Sequence, residues 1–178
     1  MGPLLAKQHF EQAGNSADAW QSVSSDLLFA AQVLLERVRA ADALAPNQLS
    51  VENGRLFPVR LMLTGMALEC LLKALWVKQG NQFVEAGAFK PVAGAGPHDL
   101  VQIAQAVALN PNSFEIDLLR RLSHFIEYGG RYPIPKASKK LEMISSPGGG
   151  KASPMTWSTP SDETLLEKLV LRIEVLLF

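Results

Sequence analysis

Hydrophobic positions in the first part of the chain repeat with the period of an α-helix. Starting after Ser16, apolar side chains recur every three or four residues, the spacing that places them on one helix face. The pattern continues to about Ala43. The stripe consists of Trp20, Val23, Leu27, Ala31, Leu34, Val38 and Ala41. We therefore predict a long helix over 16–43 with Ser16 as its N-cap. Residues 1–15 carry no comparable pattern and are predicted to form a loose or partly docked arm.

The segment from Phe57 to Gly80 is apolar on nearly every side. A helix with this pattern is buried over most of its surface, so we predict that it forms the central rod of a helical bundle. Glu69 and Lys73 form a charged pair on this helix. They stand four residues apart with the acid first, the favourable order for a helical ion pair. Gly65 interrupts an apolar stripe, which predicts the close approach of a neighbouring helix.

Turn-forming residues delimit these helices. We predict a polar connection from Pro46 to Leu56 that contains the turn dipeptide Asn53-Gly54. Pro58 suits the first turn of the rod, where its missing N–H has no intrahelical partner to lose. Residues 81–97 are rich in glycine, alanine and proline and are predicted to form a loop.

Three shorter helices are predicted after this loop, over 98–109, 112–128 and 159–178. In the second of them, Asn112 and Glu115 have the spacing of a reciprocal N-terminal cap. Together with the two long helices they predict an all-α fold, an up-and-down bundle of four to five helices in one domain over 16–178.

Composition adds little to this prediction of the fold. The chain has 178 residues, of which 48% are hydrophobic and 19% charged, as in a globular domain. Its 17 basic residues balance 17 acidic ones, so an electrostatic partner can be predicted only from local patches. The rod is long enough to span a bilayer, but its four charged residues make insertion costly. We expect no membrane association and a cytoplasmic location.

A polar seam follows the helix predicted over 112–128. At 100° per residue its side chains lie along one side, opposite an apolar face. The seam consists of Arg120, His124, Glu127 and, if the helix continues, Arg131, and Arg121 and Tyr128 lie just beyond it. An arginine can bind a phosphate and a histidine can transfer a proton, so Arg120 and His124 are the candidate catalytic pair. A solvated helix surface gives the same pattern, and this alternative stays open.

A long loop with a basic surplus follows, over about 131–160. Between Arg131 and Lys151 it has five basic residues and one acidic residue, Glu142. This surplus predicts either phosphate contacts or a solvated flap. The segment SPGGGKAS lacks the first glycine and the final Ser or Thr of a phosphate-binding loop. Three histidines and one cysteine show no metal-ligand spacing, so we predict no metal and no cofactor.

Three sequence motifs occur in order along the chain. They are LECLLKALWVKQG at 68–80, HDL at 98–100 and RYPIP at 131–135. Together they resemble the HEPN domain, and the resemblance covers roughly 27–178. It implies a small helical bundle that dimerises. Many proteins of that superfamily are ribonucleases or toxins of defence systems, some of them paired with a nucleotidyltransferase antitoxin, and others keep the fold without the activity.

The resemblance also implies roles for particular residues. The family's catalytic signature falls nearest to Arg120 and His124, although their spacing is shorter than that signature. The third motif carries over Arg131 and Tyr132 as phosphate or ligand contacts. The polar seam and the basic loop add Tyr128, Lys136, Lys139 and Lys140 to these predicted contacts. Structural or buried polar positions would be Glu69, Lys73, His98 and Asp99.

The expected function is therefore RNA or nucleotide handling in defence or stress. The protein would be a homodimer, and either a toxin-type, metal-independent ribonuclease or a degenerate relative of one. The alternative is a non-catalytic protein-binding or assembly module of a toxin–antitoxin-like or other multi-protein system, with a protein partner encoded nearby.

Overall fold

The computed structural model describes residues 2–44, 51–157 and 160–178. It is 65% helical, which confirms the all-α class at the level of fold class. The described residues form six α-helices: α1 Pro3–Gly14, α2 Ala17–Leu44, α3 Val51–Lys78, α4 Leu100–Ala106, α5 Ser113–His124 and α6 Ser161–Leu177. The helix not anticipated from the sequence is α1.

The predicted N-terminal arm is this helix, and its C-terminal end is docked. The Asn15 side chain donates to the carbonyl of Val84 at 2.8 Å and accepts from the N–H groups of Phe83 and Val84 at 2.8 and 3.0 Å. Leu4 and Phe10 are exposed instead of packed in the core. Because α1 buries no apolar face of this kind, its sequence shows no apolar stripe. Polar contacts of Asn15 and close packing of Gly14 on Val84 therefore hold the C-terminal end of α1.

Helices α2 and α3 form the long antiparallel pair at the centre of the fold. Ser16 caps α2, since its hydroxyl accepts from the N–H of Ala19 at 3.2 Å, and the predicted extent of this helix is confirmed. The buried Ser24 hydroxyl donates to the carbonyl of Ala67 at 2.9 Å and links the two helices.

The predicted start of the rod is wrong. Helix α3 begins at Val51, so Asn53-Gly54 is helical instead of a turn, and Pro58 lies inside the helix instead of in its first turn. An internal proline costs about 3 kcal/mol and an internal glycine about 1 kcal/mol. The extensive packing of α3 along α2 offsets these costs. Residues 45–50, which include Pro46, lie outside the described part of the chain.

The core is built around α3. Five of its leucines are buried, and α3 packs against α5 and α6. The most deeply buried side chains of the core include Leu61, Leu68, Leu72, Leu118, Leu119, Leu122, Leu169 and Ile173. A Cβ atom added to Gly65 would lie 2.8 Å from Cγ1 of Ile126. This confirms the predicted close approach at Gly65.

Helix α5 begins with the predicted reciprocal cap. The Asn112 side chain accepts from the N–H groups of Phe114 and Glu115, and the Glu115 carboxylate accepts from the N–H of Asn112. After His124 the helix widens into a π-helical turn, Phe125–Gly129. There the N–H of Gly130 donates to the carbonyl of Phe125, five residues earlier, at 3.1 Å.

The loops contain two small antiparallel hairpins. Strands β1 Val84–Glu85 and β2 Ala88–Phe89 pair within the predicted loop over 81–97. Strands β3 Ile144–Ser145 and β4 Lys151–Ala152 pair on either side of the glycine-rich segment. A 3-10 helix, Ser138–Leu141, precedes β3.

Candidate functional site

A buried carboxylate joins α3 to the loop that leads into α4. Glu69 and Lys73 form the predicted helical pair, with Oε1 of Glu69 2.6 Å from Nζ of Lys73. The other carboxylate oxygen, Oε2, lies 2.8 Å from Nδ1 of His98. We call these three residues the Glu69 cluster. It brings together side chains from two of the three motifs found in the sequence.

Glu69 is only 6% exposed, yet its surroundings favour the ionised form. Burial alone would raise the pKa of this carboxyl, but Lys73 and His98 outweigh burial, and the pKa lies below its ordinary value. The Lys73 ammonium also faces aromatic rings, at 5.0 Å from the ring centroid of Trp20 and 5.9 Å from those of Phe83 and Phe89. Such cation–π contacts help to fix the ammonium beside Glu69.

His98 has an unusual backbone and one ring nitrogen without a partner. Its φ is +63°, in the left-handed region that few residues other than glycine adopt. Because an ionised carboxylate only accepts hydrogen bonds, Nδ1 of His98 is protonated and donates the hydrogen bond that Glu69 accepts. In the neutral ring this leaves the lone pair on Nε2, which forms no hydrogen bond with any residue in the described ranges.

Two concavities meet at His98. The first, which we call the apolar pocket, has a volume of about 330 Å³, and its polar wall is Glu69, Lys73 and His98. Its apolar lining includes Phe83, Phe89, Pro91, Val92, Ala95, Pro97 and Ile103. The second, which we call the cationic cleft, has a volume of about 420 Å³. It is lined by Pro97, His98, Glu127, Tyr128, Arg131, Tyr132, Lys136 and Lys140. Both volumes are in the range of small-molecule sites.

The cationic cleft has a surplus of positive charge. Its lining holds three basic side chains and one acidic side chain. The Lys140 ammonium pairs with the Glu127 carboxylate, so Arg131 and Lys136 remain uncompensated within the cleft. The Arg131 guanidinium donates to the carbonyl of Ile126 and lies 5.6 Å from the ring centroid of Tyr132.

Tyr128 fixes one wall of this cleft. Its hydroxyl donates to the carbonyl of Lys140 at 3.3 Å, which ties the π-helical turn to the 3-10 helix. Burial raises the pKa of Tyr128, and the nearby Glu127 raises it further, so the hydroxyl stays protonated at neutral pH. The π-helical turn presents both Glu127 and Tyr128 to the cleft.

The structure brings most of the predicted ligand residues together. Tyr128, Arg131, Tyr132, Lys136 and Lys140 all line the cationic cleft. The sixth predicted residue, Lys139, is exposed on the 3-10 helix and is not part of the lining. Among the predicted structural polar residues, Asp99 is the N-cap of α4 and accepts from the N–H of Gln102 at 3.0 Å.

Arg120 and His124, the predicted catalytic pair, line neither the cationic cleft nor the apolar pocket. Arg120 is exposed. His124 is half-buried, its Nδ1 has no hydrogen-bond partner among the described residues, and burial lowers its pKa. The His124 ring nevertheless lies 5.9 Å from the ring of Tyr128, which lines the cleft, so His124 packs behind this wall instead of entering the cleft.

Arg121, at the edge of the polar seam, belongs to a closed buried cluster. Its Nε donates to Asp117 at 2.9 Å, Nη1 to Asp162 at 2.7 Å and to the carbonyl of Thr156 at 2.8 Å, and Nη2 to Asp162 at 2.8 Å. Burial would lower the pKa of Arg121, but Asp162 and Asp117 outweigh burial and raise it. We call Arg121, Asp117 and Asp162 the Arg121 cluster.

Other reactive groups give weaker evidence for a functional site. Cys70 is buried in α3, and burial raises the pKa of its thiol to about 11, which leaves little thiolate at neutral pH. Within the described ranges, no three or more His, Cys, Asp or Glu side chains are grouped so that they could hold a metal ion. None of the described helices combines the length and the apolar character that a membrane crossing requires.

Comparison of the chain with family models, curated proteins and solved structures gave no match. The resemblance to the HEPN domain therefore rests on the three sequence motifs. Residues of all three motifs surround the same site: Glu69 and Lys73 of the first, His98 of the second, and Arg131 and Tyr132 of the third.

The sequence did not reveal the central position of His98. Twenty-nine residues separate it from Glu69, and no local pattern couples the two. The available signals were a histidine after a proline and an isolated acid on an apolar helix.

Proposed function

We propose that the protein binds RNA or a nucleotide in the cationic cleft, as a HEPN-like helical bundle acting in defence or stress. The observation that carries this proposal is the convergence of Arg131, Lys136 and Lys140 in one concavity with a single acid. Phosphate groups bind where basic side chains outnumber acids, and an arginine can donate to two phosphate oxygens at once.

The aromatic side chains of the cleft support the same ligand class. Tyr132 is 57% exposed, and its ring lies beside the Arg131 guanidinium. An exposed ring next to a cation suits a nucleotide, since the base can stack on the ring while the phosphate meets the cation. The protonated Tyr128 hydroxyl adds a neutral polar group to the wall.

Binding of a fluorescein-labelled single-stranded RNA, measured by anisotropy over a range of salt concentrations, tests this proposal. Each lost phosphate contact lowers the slope of log affinity against log salt by about one, so we expect this change in Arg131→Ala and in Lys136→Ala. Arg39→Ala and Lys168→Ala are matched controls, because both residues are exposed on helices outside the cleft. Competition by an unlabelled nucleotide would distinguish nucleotide binding from RNA binding.

Two outcomes would contradict the proposal. One is the absence of binding to both RNA and nucleotide. The other is equal loss of affinity in the cleft variants and in the control variants, which would indicate a diffuse charge effect instead of a site.

A second candidate, the protein-binding or assembly module, is favoured by the last helix. Leu171, Val175 and Phe178 follow one another at helical spacing and are 61%, 67% and 99% exposed. A contiguous exposed apolar stripe is typical of an association surface. We infer that a second copy of the chain covers it, which gives a homodimer.

Light scattering after size exclusion tests the homodimer. We expect a dimer for the wild type and a monomer for Val175→Glu. Phe114→Glu is the control, since this residue is equally apolar and exposed but lies at the start of α5. A monomeric wild type at micromolar concentration would rule out the second copy as the partner and leave a different protein as the occupant of the stripe.

A further inference from the structure

We propose that His98 is the catalytic residue that transfers a proton during cleavage of RNA bound in the cationic cleft, and that Glu69 positions it. This inference rests on the proposed function, because it requires RNA in the cleft. It assigns the chemistry to the Glu69 cluster instead of to Arg120 and His124.

The first argument is orientation. The Glu69 carboxylate is buried and is held on both oxygens, by Lys73 at 2.6 Å and by His98 at 2.8 Å. A carboxylate fixed in this way selects the tautomer with the proton on Nδ1 and stabilises the charged ring that forms when Nε2 takes a second proton. Nε2 has no competing hydrogen bond to any residue of the described segments.

The second argument is location. His98 and Pro97 are the residues that line both the apolar pocket and the cationic cleft. A phosphate bound by Arg131 and Lys136 in the cleft would therefore lie next to the imidazole. The apolar pocket on the other side of His98 offers about 330 Å³ for the preceding ribose and base.

The third argument is the backbone. A left-handed conformation at a residue other than glycine costs about 1–2 kcal/mol and persists where the surrounding structure imposes it. Four described residues other than glycine have a positive φ, namely Ala86, His98, Ala108 and Asn110, and of these His98 is the one that lines the apolar pocket and the cationic cleft. At His98, with a φ of +63°, the hydrogen bond to Glu69 on one side and the Asp99 cap of α4 on the other hold this conformation.

The reaction is a transesterification that requires no oxidant or reductant. Nε2 of His98 removes the proton of a ribose 2′-hydroxyl, and the 2′-oxygen forms a bond to the adjacent phosphorus. The bond from phosphorus to the 5′-oxygen breaks, and the leaving oxygen takes a proton from water. The products are a 2′,3′-cyclic phosphate and a 5′-hydroxyl. Arg131 and Lys136 offset the negative charge that develops on the phosphoryl oxygens.

His98→Asn is the variant that separates chemistry from structure. Asparagine tolerates the left-handed conformation, and its side-chain amide can replace Nδ1–H as a donor to Glu69, but it has no counterpart of Nε2. We expect the cleavage rate of a single-stranded RNA to fall by about 100-fold or more, the typical contribution of a general base. Affinity for the same strand made with 2′-deoxyribose, which cannot react, should stay unchanged.

Two other histidines provide the comparison. His9→Asn is the matched control, because His9 is exposed on α1 and should leave the cleavage rate unchanged. His124→Asn distinguishes the two candidate sites: it should retain cleavage if His98 is the base. Loss of cleavage in His124→Asn with normal cleavage in His98→Asn would overturn the inference.

Glu69→Gln tests the positioning role through the split between rate and binding. Glutamine keeps an acceptor for Nδ1–H but not the charge that stabilises the ring once Nε2 takes a proton. The cleavage rate at saturating RNA should therefore fall by about 10-fold or more, whereas affinity for the 2′-deoxyribose strand should stay unchanged. An unchanged cleavage rate, or an equal loss of rate and affinity, would contradict the positioning role.

Failure of the inference can be told apart from failure of the proposed function. Wild-type protein that binds RNA without cleaving it would overturn the catalytic role of His98 and leave the binding proposal intact. Wild-type protein that binds no RNA would remove both.

Discussion

The Arg121 cluster and the Glu69 cluster are both buried ionic groups in one helical bundle, but they differ in whether every nitrogen has a hydrogen-bond partner in the protein. In the Arg121 cluster every guanidinium nitrogen donates to a protein acceptor, and the group is closed. The Glu69 cluster ends at His98, which lines two concavities and whose Nε2 has no hydrogen-bond partner among the described residues. A buried network in which every nitrogen has an acceptor contributes to structure, whereas an unused ring nitrogen at a concavity is available for a ligand.

The elements that each cluster connects show the same difference. The Arg121 cluster ties α5 to α6 and to the segment before α6, and the Trp157 ring lies 5.9 Å from the Arg121 guanidinium and 5.7 Å from that of Arg60. The Glu69 cluster ties α3 to one loop residue in a left-handed conformation. The first joins helices, and the second orients a side chain.

The largest expected effect is the loss of stability in Arg121→Ala. This change leaves the carboxylates of Asp117 and Asp162 buried without their cation, and breaking a buried pair in this way typically costs about 3–5 kcal/mol. Urea denaturation measures the free energy of unfolding. Arg120→Ala is the control. Arg120 is the exposed neighbour of Arg121, so its replacement should change the free energy of unfolding by no more than about 0.5 kcal/mol. Similar small losses in both variants would show that the Arg121 cluster is not the structural one.

A smaller loss of stability is expected in Glu69→Gln. The variant keeps the shape of the side chain and loses the charge-assisted hydrogen bonds to Lys73 and His98, which we expect to cost about 2 kcal/mol at neutral pH.

The same variant has a predicted pH dependence. Because the pKa of Glu69 is lower in the folded protein than its ordinary value of 4.5, its contribution to stability is present above that value and is lost as the pH falls through the folded pKa. The difference in unfolding free energy between wild type and Glu69→Gln should therefore shrink as the pH falls below about 4.5. A difference that does not change with pH would contradict the pKa shift.

The smallest stability effect is expected in His98→Asn. The variant keeps a donor to Glu69 and a side chain suited to a positive φ, so the free energy of unfolding should change by no more than about 0.5 kcal/mol. A small change in the free energy of unfolding together with a large loss of cleavage would show that His98 serves function instead of stability. A loss as large as that of Arg121→Ala would instead make His98 a structural residue.

Features of the fold that depend on local sequence could be predicted. The extent of α2, the reciprocal cap at Asn112 and the close approach at Gly65 follow from helical periodicity and residue chemistry. The start of α3 could not be predicted, because long-range packing against α2 overrides the local preferences of Gly54 and Pro58.

The candidate site was predicted only in part, for a physical reason. The polar seam was placed by assuming 100° per residue as far as Arg131. The π-helical turn Phe125–Gly129 breaks this phase because its hydrogen bonds span five residues instead of four. Glu127 and Tyr128 therefore line the cleft, whereas Arg120 and His124 do not. The position of His98 depended on a tertiary contact with Glu69 that no periodicity encodes.

The two glycines at the end of the π-helical turn should differ in mutational tolerance, although both are half-buried. A methyl group on Gly130 would overlap with Cβ of Met62, an atom held by the backbone of α3. On Gly129 it would meet the terminal methyl of Met155, which can rotate away, and would lie 3.1 Å from Cδ1 of Phe125, which must shift slightly. Exposure alone would rank these neighbouring positions as equivalent, but a deep mutational scan should find alanine better tolerated at Gly129 than at Gly130.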